Sequence, residues 1–401
     1  MNNKSISHFQ RTKNFLGGGS STLSKIYRTD DEPVIIEKGK GCRVWNCDGK
    51  EFIDYRNGLG PVTLGYSIKD INTAVAAQLK KGLVYGHPHR LEGEDAEKLC
   101  EVIPCAEKVR FLKTGGEAAA AAIKIARAYT GRDYVIHCGY NGWINSLATG
   151  GSVPIAIADK SPLRGVPSGI AHYHQMLSWN DYPAFEKCIS ESHEKIAAVI
   201  IATNYEHFYK GAEFLPAIRT LTEKYGICMI MDEIVTGFRI AFGGSGEYFN
   251  FKPDLAVFAK GMANGMPISI YAGRKELIDL SCDIGISTTY GGEALSLAAV
   301  CAVIDFYKKH EVIKCLRTSG EYLWPKMQTV LEKSNGKIKT AGHPACTQFL
   351  FKSPEIRNEF MSQCYRRGIS FYDVSYVNHS HTKKDMDITL EAVAEAVNAM
   401  K

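Results

Sequence analysis

Asp232 and Lys260 are the two residues of this 401-residue chain whose types and placement most readily suggest chemistry. Each closes a short apolar run, Ile227–Met231 before Asp232-Glu233 and Leu255–Phe258 just before Lys260. Runs of this kind, flanked by turn residues and lacking helical spacing, predict buried strands of a parallel sheet. Ligands of open α/β sheets sit at the carboxyl ends of the strands. A carboxylate and an amine 28 positions apart are therefore expected at one crevice. They could simply neutralise each other as a buried ion pair.

A division of labour is the chemical alternative. A strand-end lysine can hold an aldehyde as a Schiff base, and a carboxylate can keep an aromatic ring nitrogen protonated and the ring electron-accepting. Pyridoxal phosphate asks for both. Gly261, Ala263 and Gly265 follow the lysine, so the backbone can turn tightly and leave the amine unobstructed.

A phosphate also needs a seat. Val109–Leu112 reads as a strand, and Thr114-Gly115-Gly116-Glu117 follows it with the threonine and glutamate spaced as a capping box. The alanine-rich run Ala118–Tyr129 then predicts a helix stopped at Gly131. Paired glycines at such a start leave N–H groups and the positive end of the helix dipole to an anion. Ser287-Thr288-Thr289-Tyr290-Gly291-Gly292, before the apolar helix Ala294–Tyr307, is a second start of the same sort. Gly139-Tyr140-Asn141-Gly142-Trp143 follows the strand Asp133–Cys138. An aromatic there could lie flat over a planar ring, or could pack in the core.

The elements that position these residues alternate between strand and helix from about residue 109 to 300, which predicts a mainly parallel sheet covered by helices. Ahead of them, strands Pro33–Lys38 and Cys42–Asn46 and a hairpin turn at Asp48-Gly49 predict a small antiparallel sheet. After about residue 310 an α+β tail follows. The expected domains are 1–50 and 301–401, which together build the smaller α+β domain, and a large domain of 51–300. Residues 17–22, GGGSST, read as a flexible entry loop or a loop that closes over an anion, and 148–170 as a loop that lines a site.

Composition excludes several classes. The chain is 45% hydrophobic and 23% charged, so it can bury a large core. Its net charge of +5 is spread over 48 basic and 43 acidic residues with no block of like charge, so nucleic acid is not an expected partner. Twelve cysteines without CxxC pairs or Cys/His ligand spacing read as reduced core residues, and no metal site is expected from them or from His87 and His89. The N-terminus is too polar for a signal peptide and the longest strongly apolar run, Ile196–Ala202, is far short of a membrane span. A soluble cytoplasmic protein with no membrane partner is the expectation.

Five motifs, TGGEA at 114–118, GYNGW at 139–143, MDEIVTGFR at 231–239, AKGMANGMP at 259–267 and TTYGG at 288–292, occur in the order and spacing of a known pattern. Over nearly its whole length the chain resembles the class III pyridoxal-phosphate aminotransferases of fold type I, the glutamate-semialdehyde aminomutases in particular. The resemblance implies an α/β fold with a mainly parallel sheet of the seven-stranded type, plus a smaller α+β domain from both termini. It implies pyridoxal 5'-phosphate as cofactor, Lys260 as the residue that carries it and moves protons, and Asp232 as partner of its ring nitrogen. Tyr140 and Ile234 would pack on the two faces of the ring, and Thr114, Gly115 and Gly116 would cup the phosphate. Thr289 would reach a phosphate in a neighbouring subunit, which implies a homodimer with shared sites. The partners implied are a small amino donor and a carbonyl acceptor.

Three departures bear on the substrate. The Glu-Pro that commonly follows the family's strand is missing after Ile201-Ala202-Thr203. The aminomutases' N-terminal arginine for the substrate carboxylate is replaced by Thr22-Leu23-Ser24-Lys25, and their loop before the C-terminal histidine segment is shortened to Asp373–Asn378. With Asn141 and Trp143 suited to hydroxyl groups, amino transfer to a keto sugar or polysaccharide precursor is the expected activity. The aminomutase-type internal amino shift is the alternative, and a non-catalytic binding protein is a remote third.

Overall fold

A computed structural model describes residues 4–144 and 165–400, so most of the loop expected over 148–170 lies outside the described residues. The chain forms two compact units: Met1–Lys69 with Glu311–Lys401, and Asp70–His310.

The first unit opens with helix α1 (Lys4–Thr12), which buries Ser5 and Phe9. Within the 17–22 stretch Gly19 is buried against the Phe9 ring, whereas Gly17, Gly18 and Ser21 are exposed. Strands β1 (Ile36–Lys40), β2 (Arg43–Asn46) and β3 (Glu51–Asp54) form an antiparallel meander. β3 continues the meander past residue 50.

The second unit begins with α2 (Lys69–Leu79) and α3 (Arg90–Val102). His89 caps α3, its ring accepting from Leu91 N while Glu92 bonds the His89 N–H, which gives that histidine a structural task. Alternation follows: β4 (Lys108–Leu112), α4 (Gly115–Thr130), β5 (Tyr134–Cys138), α5 (Ser168–Ala171), β6 (His174–Met176), α6 (Tyr182–Ser192), β7 (Ile196–Ala202), α7 (Gly211–Lys224), β8 (Cys228–Asp232), α8 (Gly244–Tyr248), β9 (Leu255–Phe258), β10 (Ser269–Gly273), α9 (Lys275–Asp283) and α10 (Ala294–His310). α10 runs unbroken through residue 300.

The seven strands pair in the order β4-β10-β9-β8-β7-β5-β6. All are parallel except β10, which is antiparallel to both β4 and β9. The carboxyl ends of β4, β5, β8 and β9 therefore share one edge. Helix α4 crosses β7, β8, β9 and β10, and its buried Ala118, Ala119, Ala121, Ala122 and Ala126 let it lie close to the sheet.

The chain then returns to the first unit through α11 (Val312–Glu332), β11 (Ile338–His343), β12 (Cys346–Phe351), α12 (Pro354–Arg366), β13 (Ile369–Ser370), β14 (Val374–Ser375) and α13 (Lys383–Ala399). β13 pairs parallel with β3, and the two segments share a core of Phe52, Tyr55, Trp324, Phe349, Phe360 and Phe371. No helix of the described residues is long and apolar enough to cross a membrane.

Candidate active site

The shared edge of the second unit's sheet gathers the residues that the spacing singled out. Asp232 is the last residue of β8, paired with Ala202 of β7 and Val257 of β9. It is buried, and its Oδ1 accepts the N–H of Ile234 at 3.2 Å while Oδ2 accepts Nδ2 of Asn141 at 3.4 Å. Burial outweighs those bonds and the nearby Lys260 charge, and lifts the carboxyl to about 6.

Lys260 stands two residues past β9, on a 3-10 turn of Lys260–Ala263, with φ +45. A left-handed backbone at a non-glycine residue is strained, and such strain persists where the surroundings enforce it. Although the residue keeps some solvent contact, desolvation lowers its amine to about 8 against the pull of Asp232, with the buried Arg239 guanidinium adding to the lowering. An amine of this kind is neutral far more often than an ordinary lysine, and only the neutral form is a nucleophile or base.

Thr114 caps α4 through the expected box: its hydroxyl accepts from Glu117 N at 3.3 Å, and Glu117 Oε2 accepts from Thr114 N at 2.7 Å and Lys113 N at 3.1 Å. Ala118 N donates to the Thr114 carbonyl, so Gly115 and Gly116 occupy the first turn, whose N–H groups precede that bond. A Cβ on Gly115 would collide with Ile234, so the helix start and the loop after β8 are in direct contact. Ser269 of β10 fixes the Thr114 carbonyl at 2.8 Å.

Tyr140 follows β5 and is 40% exposed. Burial, then the Asp232 charge, raises its hydroxyl's pKa, which sets it close to the carboxylate. Thr289 is different. It is exposed in the turn before α10, and no described contact brings it to Lys260. That turn is held by Glu293, which caps α10 at Leu295 N and pairs with Lys113 Nζ at 2.9 Å.

Several participants were not singled out as site residues in the sequence. Asn141, read as a contact for substrate hydroxyls, is buried and turned to Asp232 instead. Behind it stand His137 of β5 and His174 of β6. A histidine inside the otherwise apolar strand YVIHC was the available signal, because a buried polar side chain requires a partner. Glu233 is a structural anchor: it accepts from Thr236 Oγ1, Ser245 N at 2.8 Å and Gly246 N at 3.0 Å, pinning the segment after β8.

An α/β unit with a strained lysine, a buried carboxylate and a capped helix start on one sheet edge defines a cofactor-dependent enzyme. The aminotransferase class-III family model matches residues 26–401, and the chain belongs to that family of pyridoxal 5'-phosphate-dependent enzymes. It is 30% identical over 420 residues to glutamate-1-semialdehyde 2,1-aminomutase 2 of Lachnoclostridium phytofermentans, covering 98% of each chain. It is 29% identical over 418 residues to the 3-aminobutyryl-CoA aminotransferase of Cloacimonas acidaminovorans, covering 99% and 97%. Its fold superposes on a PLP form of the FumI protein of Sphingopyxis sp. MTA144 with a TM-score of 0.89 at 23% identity, covering 99% and 96% of the chains. The residues present fit the cofactor: the cradle at Gly115 admits no side chain, the buried carboxylate suits a protonated ring nitrogen, and the lysine amine is poised near neutrality.

Proposed function

We propose that the chain transfers an amino group from an amino-acid donor to a carbonyl acceptor, with Lys260 carrying the cofactor and Asp232 facing its ring nitrogen. Bound pyridoxal phosphate supplies an electron-accepting ring that acidifies a Cα proton. Lys260, lowered to about 8, takes that proton near neutral pH and returns it. Asp232, ionised above about 6, holds a proton on the ring nitrogen by its charge. The first-turn N–H groups of Gly115 and Gly116, with Thr114, seat the phosphate, and Tyr140 and Ile234 bound the ring. The observation that carries this reading is the strained, depressed Lys260 on the same sheet edge as buried Asp232. Borohydride reduction of the reconstituted protein followed by peptide mapping tests it; label on any other lysine refutes it.

For the acceptor we propose a keto sugar or a related polyhydroxylated carbonyl compound. In support, the 22–25 segment lacks a guanidinium of its own, and Arg56 beside it is committed to Glu32, the Ser24 carbonyl at 2.8 Å and the Tyr372 ring. The internal amino shift is the second reading, favoured by the relatives named as aminomutases. Bleaching of the bound cofactor by one amino acid, followed by recovery with keto sugars alone, supports the first. Turnover of glutamate semialdehyde without a separate donor supports the second.

A homodimer and a cytoplasmic setting complete the proposal. Leu83, Val84, Tyr85 and Tyr290 are large exposed apolar residues near Thr289, their segments tied by Ala294 N to the Leu83 carbonyl. All twelve cysteines are unpaired, as suits a reducing compartment. Sedimentation showing a monomer at micromolar concentration would contradict the dimer.

A further inference from the structure

A line of hydrogen bonds leads from Asp232 across β5 to the edge strand β6 and helix α4. Asn141 Nδ2 donates to Asp232 at 3.4 Å, and Asn141 Oδ1 lies 3.2 Å from Nδ1 of His137, a wholly buried residue of β5. His137 Nε2 is 2.7 Å from Nδ1 of His174 on the edge strand β6. His174 Nε2 is in turn 3.1 Å from the Arg127 guanidinium on α4, whose Nε donates to the Asp133 carbonyl at 2.8 Å.

The two ends of this line fix every proton within it. A guanidinium only donates and an amide oxygen only accepts. Arg127 therefore donates to His174 Nε2, His174 Nδ1–H to His137 Nε2, His137 Nδ1–H to Asn141 Oδ1, and Asn141 Nδ2–H to Asp232. Both imidazoles are neutral in this arrangement, and every N–H points toward the carboxylate. Reversing the Asn141 amide would set its oxygen against the carboxylate and its NH2 against the His137 N–H. His137 thus holds the amide in the one orientation that stabilises an anion.

We propose that His174, His137 and Asn141 are positioning residues that act through Asp232, their one-directional line keeping the carboxylate ionised and hence the ring nitrogen of bound pyridoxal phosphate protonated. This rests on the role assigned to Asp232 above. The other groups that set the charge there are Lys260 from the turn after β9, Tyr140 beside Asn141, and Glu233, the next residue in the chain. Around the imidazoles they are Arg127 and, beyond it, Asp133 and Tyr173. Burial holds His137 at about 3 and His174 at about 4, so the line keeps its polarity throughout the working range.

The test reads the ring nitrogen directly, by the pH dependence of the 15N shift of labelled pyridoxal phosphate bound to the protein. His137→Phe breaks the line, whereas His137→Gln can donate to Asn141 and accept from His174. The expected result is a downward shift of the ring-nitrogen titration by about one pH unit, a tenfold loss of proton affinity, in His137→Phe. His137→Gln should restore the native midpoint. His174→Leu, on an edge strand and only half-buried, should shift the midpoint in the same direction and serves where His137→Phe fails to fold. Native midpoints in these variants, while Asp232→Asn moves the titration, would overturn the proposal and leave the Asp232 reading standing. Native behaviour of Asp232→Asn itself would overturn both.

Discussion

Ile234 fills the space that a side chain on Gly115 would need, coming within 3.0 Å at its Cγ1. Two requirements of the site meet in that contact, because Ile234 N also bonds Asp232 while Gly115 opens helix α4. The seat for the phosphate and the carboxylate for the ring nitrogen are thereby held at a fixed separation by one pair of residues.

Gly115→Ala should weaken pyridoxal-phosphate binding about tenfold, since Ile234 Cδ1 can turn aside about χ2 but Cγ1 is set by the stiff χ1 of a β-branched side chain. Ile234→Ala in the same chain removes the colliding atoms and should recover part of the loss. Equilibrium binding of the cofactor to the four proteins of this cycle measures the coupling. Additive effects would show that the contact is not what limits the glycine.

Cofactor-free protein should carry the cost of Lys260 in its stability. The folded amine, at about 8, sits below the ordinary lysine value of 10.5, so desolvation of the charge destabilises the fold fully below pH 8. The penalty fades as pH rises from 8 to above 10.5. Lys260→Met is expected to raise the stability of the cofactor-free protein at pH 7 by on the order of 2 kcal/mol, with the gain gone near pH 11. Denaturant unfolding at both pH values checks it, and a gain that persists at pH 11 would point to packing instead.

The large sheet was legible because its central strands β7, β8 and β9 are apolar runs, and because Asp232 and Lys260 stand at the ends of two of them. β10 was not. Ser269–Gly273 is a short run between Pro267-Ile268 and Arg274-Lys275 with no crossover helix ahead of it, and its antiparallel place between β4 and β9 depends on β4, far earlier in the sequence. Asn141 was misread for a related reason: its neighbours in sequence suggest an open loop, whereas its burial against Asp232 follows from the meeting of β5 and β8 through β7. Helix α1 was missed because two buried residues, Ser5 and Phe9, are its sole buried face in a polar stretch. Thr289 is a residue whose expected role depends on a second copy, which one chain's pattern does not carry.

Gly244→Ala is expected to destabilise the second unit while leaving Lys260 able to carry the cofactor. At φ +67 this residue precedes Ser245, and a Cβ there would overlap the Glu233 carboxylate that anchors the segment after β8. The strain and the displaced carboxylate together should cost on the order of 3 kcal/mol. Thermal unfolding reads the loss, and the Lys260 chromophore at low temperature should remain. An unchanged Tm would mean that Glu233 is free to move.

Asp95 should make the protein less stable as the pH rises from about 4 to about 8. It lies wholly buried on α3, which packs on α10, and neither carboxylate oxygen has a hydrogen-bond partner. Lys98, one turn on, spends its ammonium on Asp305 at 2.6 Å and Cys301 at 3.0 Å. Desolvation, only partly offset by Lys98 and reinforced by Glu94 and Asp305, lifts the Asp95 carboxyl to about 8. A raised folded pKa means that the cost of ionising it in place grows from about pH 4 to pH 8 and is then constant. Asp95→Leu is therefore expected to be more stable than the native chain by on the order of 3 kcal/mol at pH 9, and by much less at pH 5. Unfolding midpoints measured across that range decide the matter: a difference that does not widen with pH would show the carboxylate to be satisfied after all.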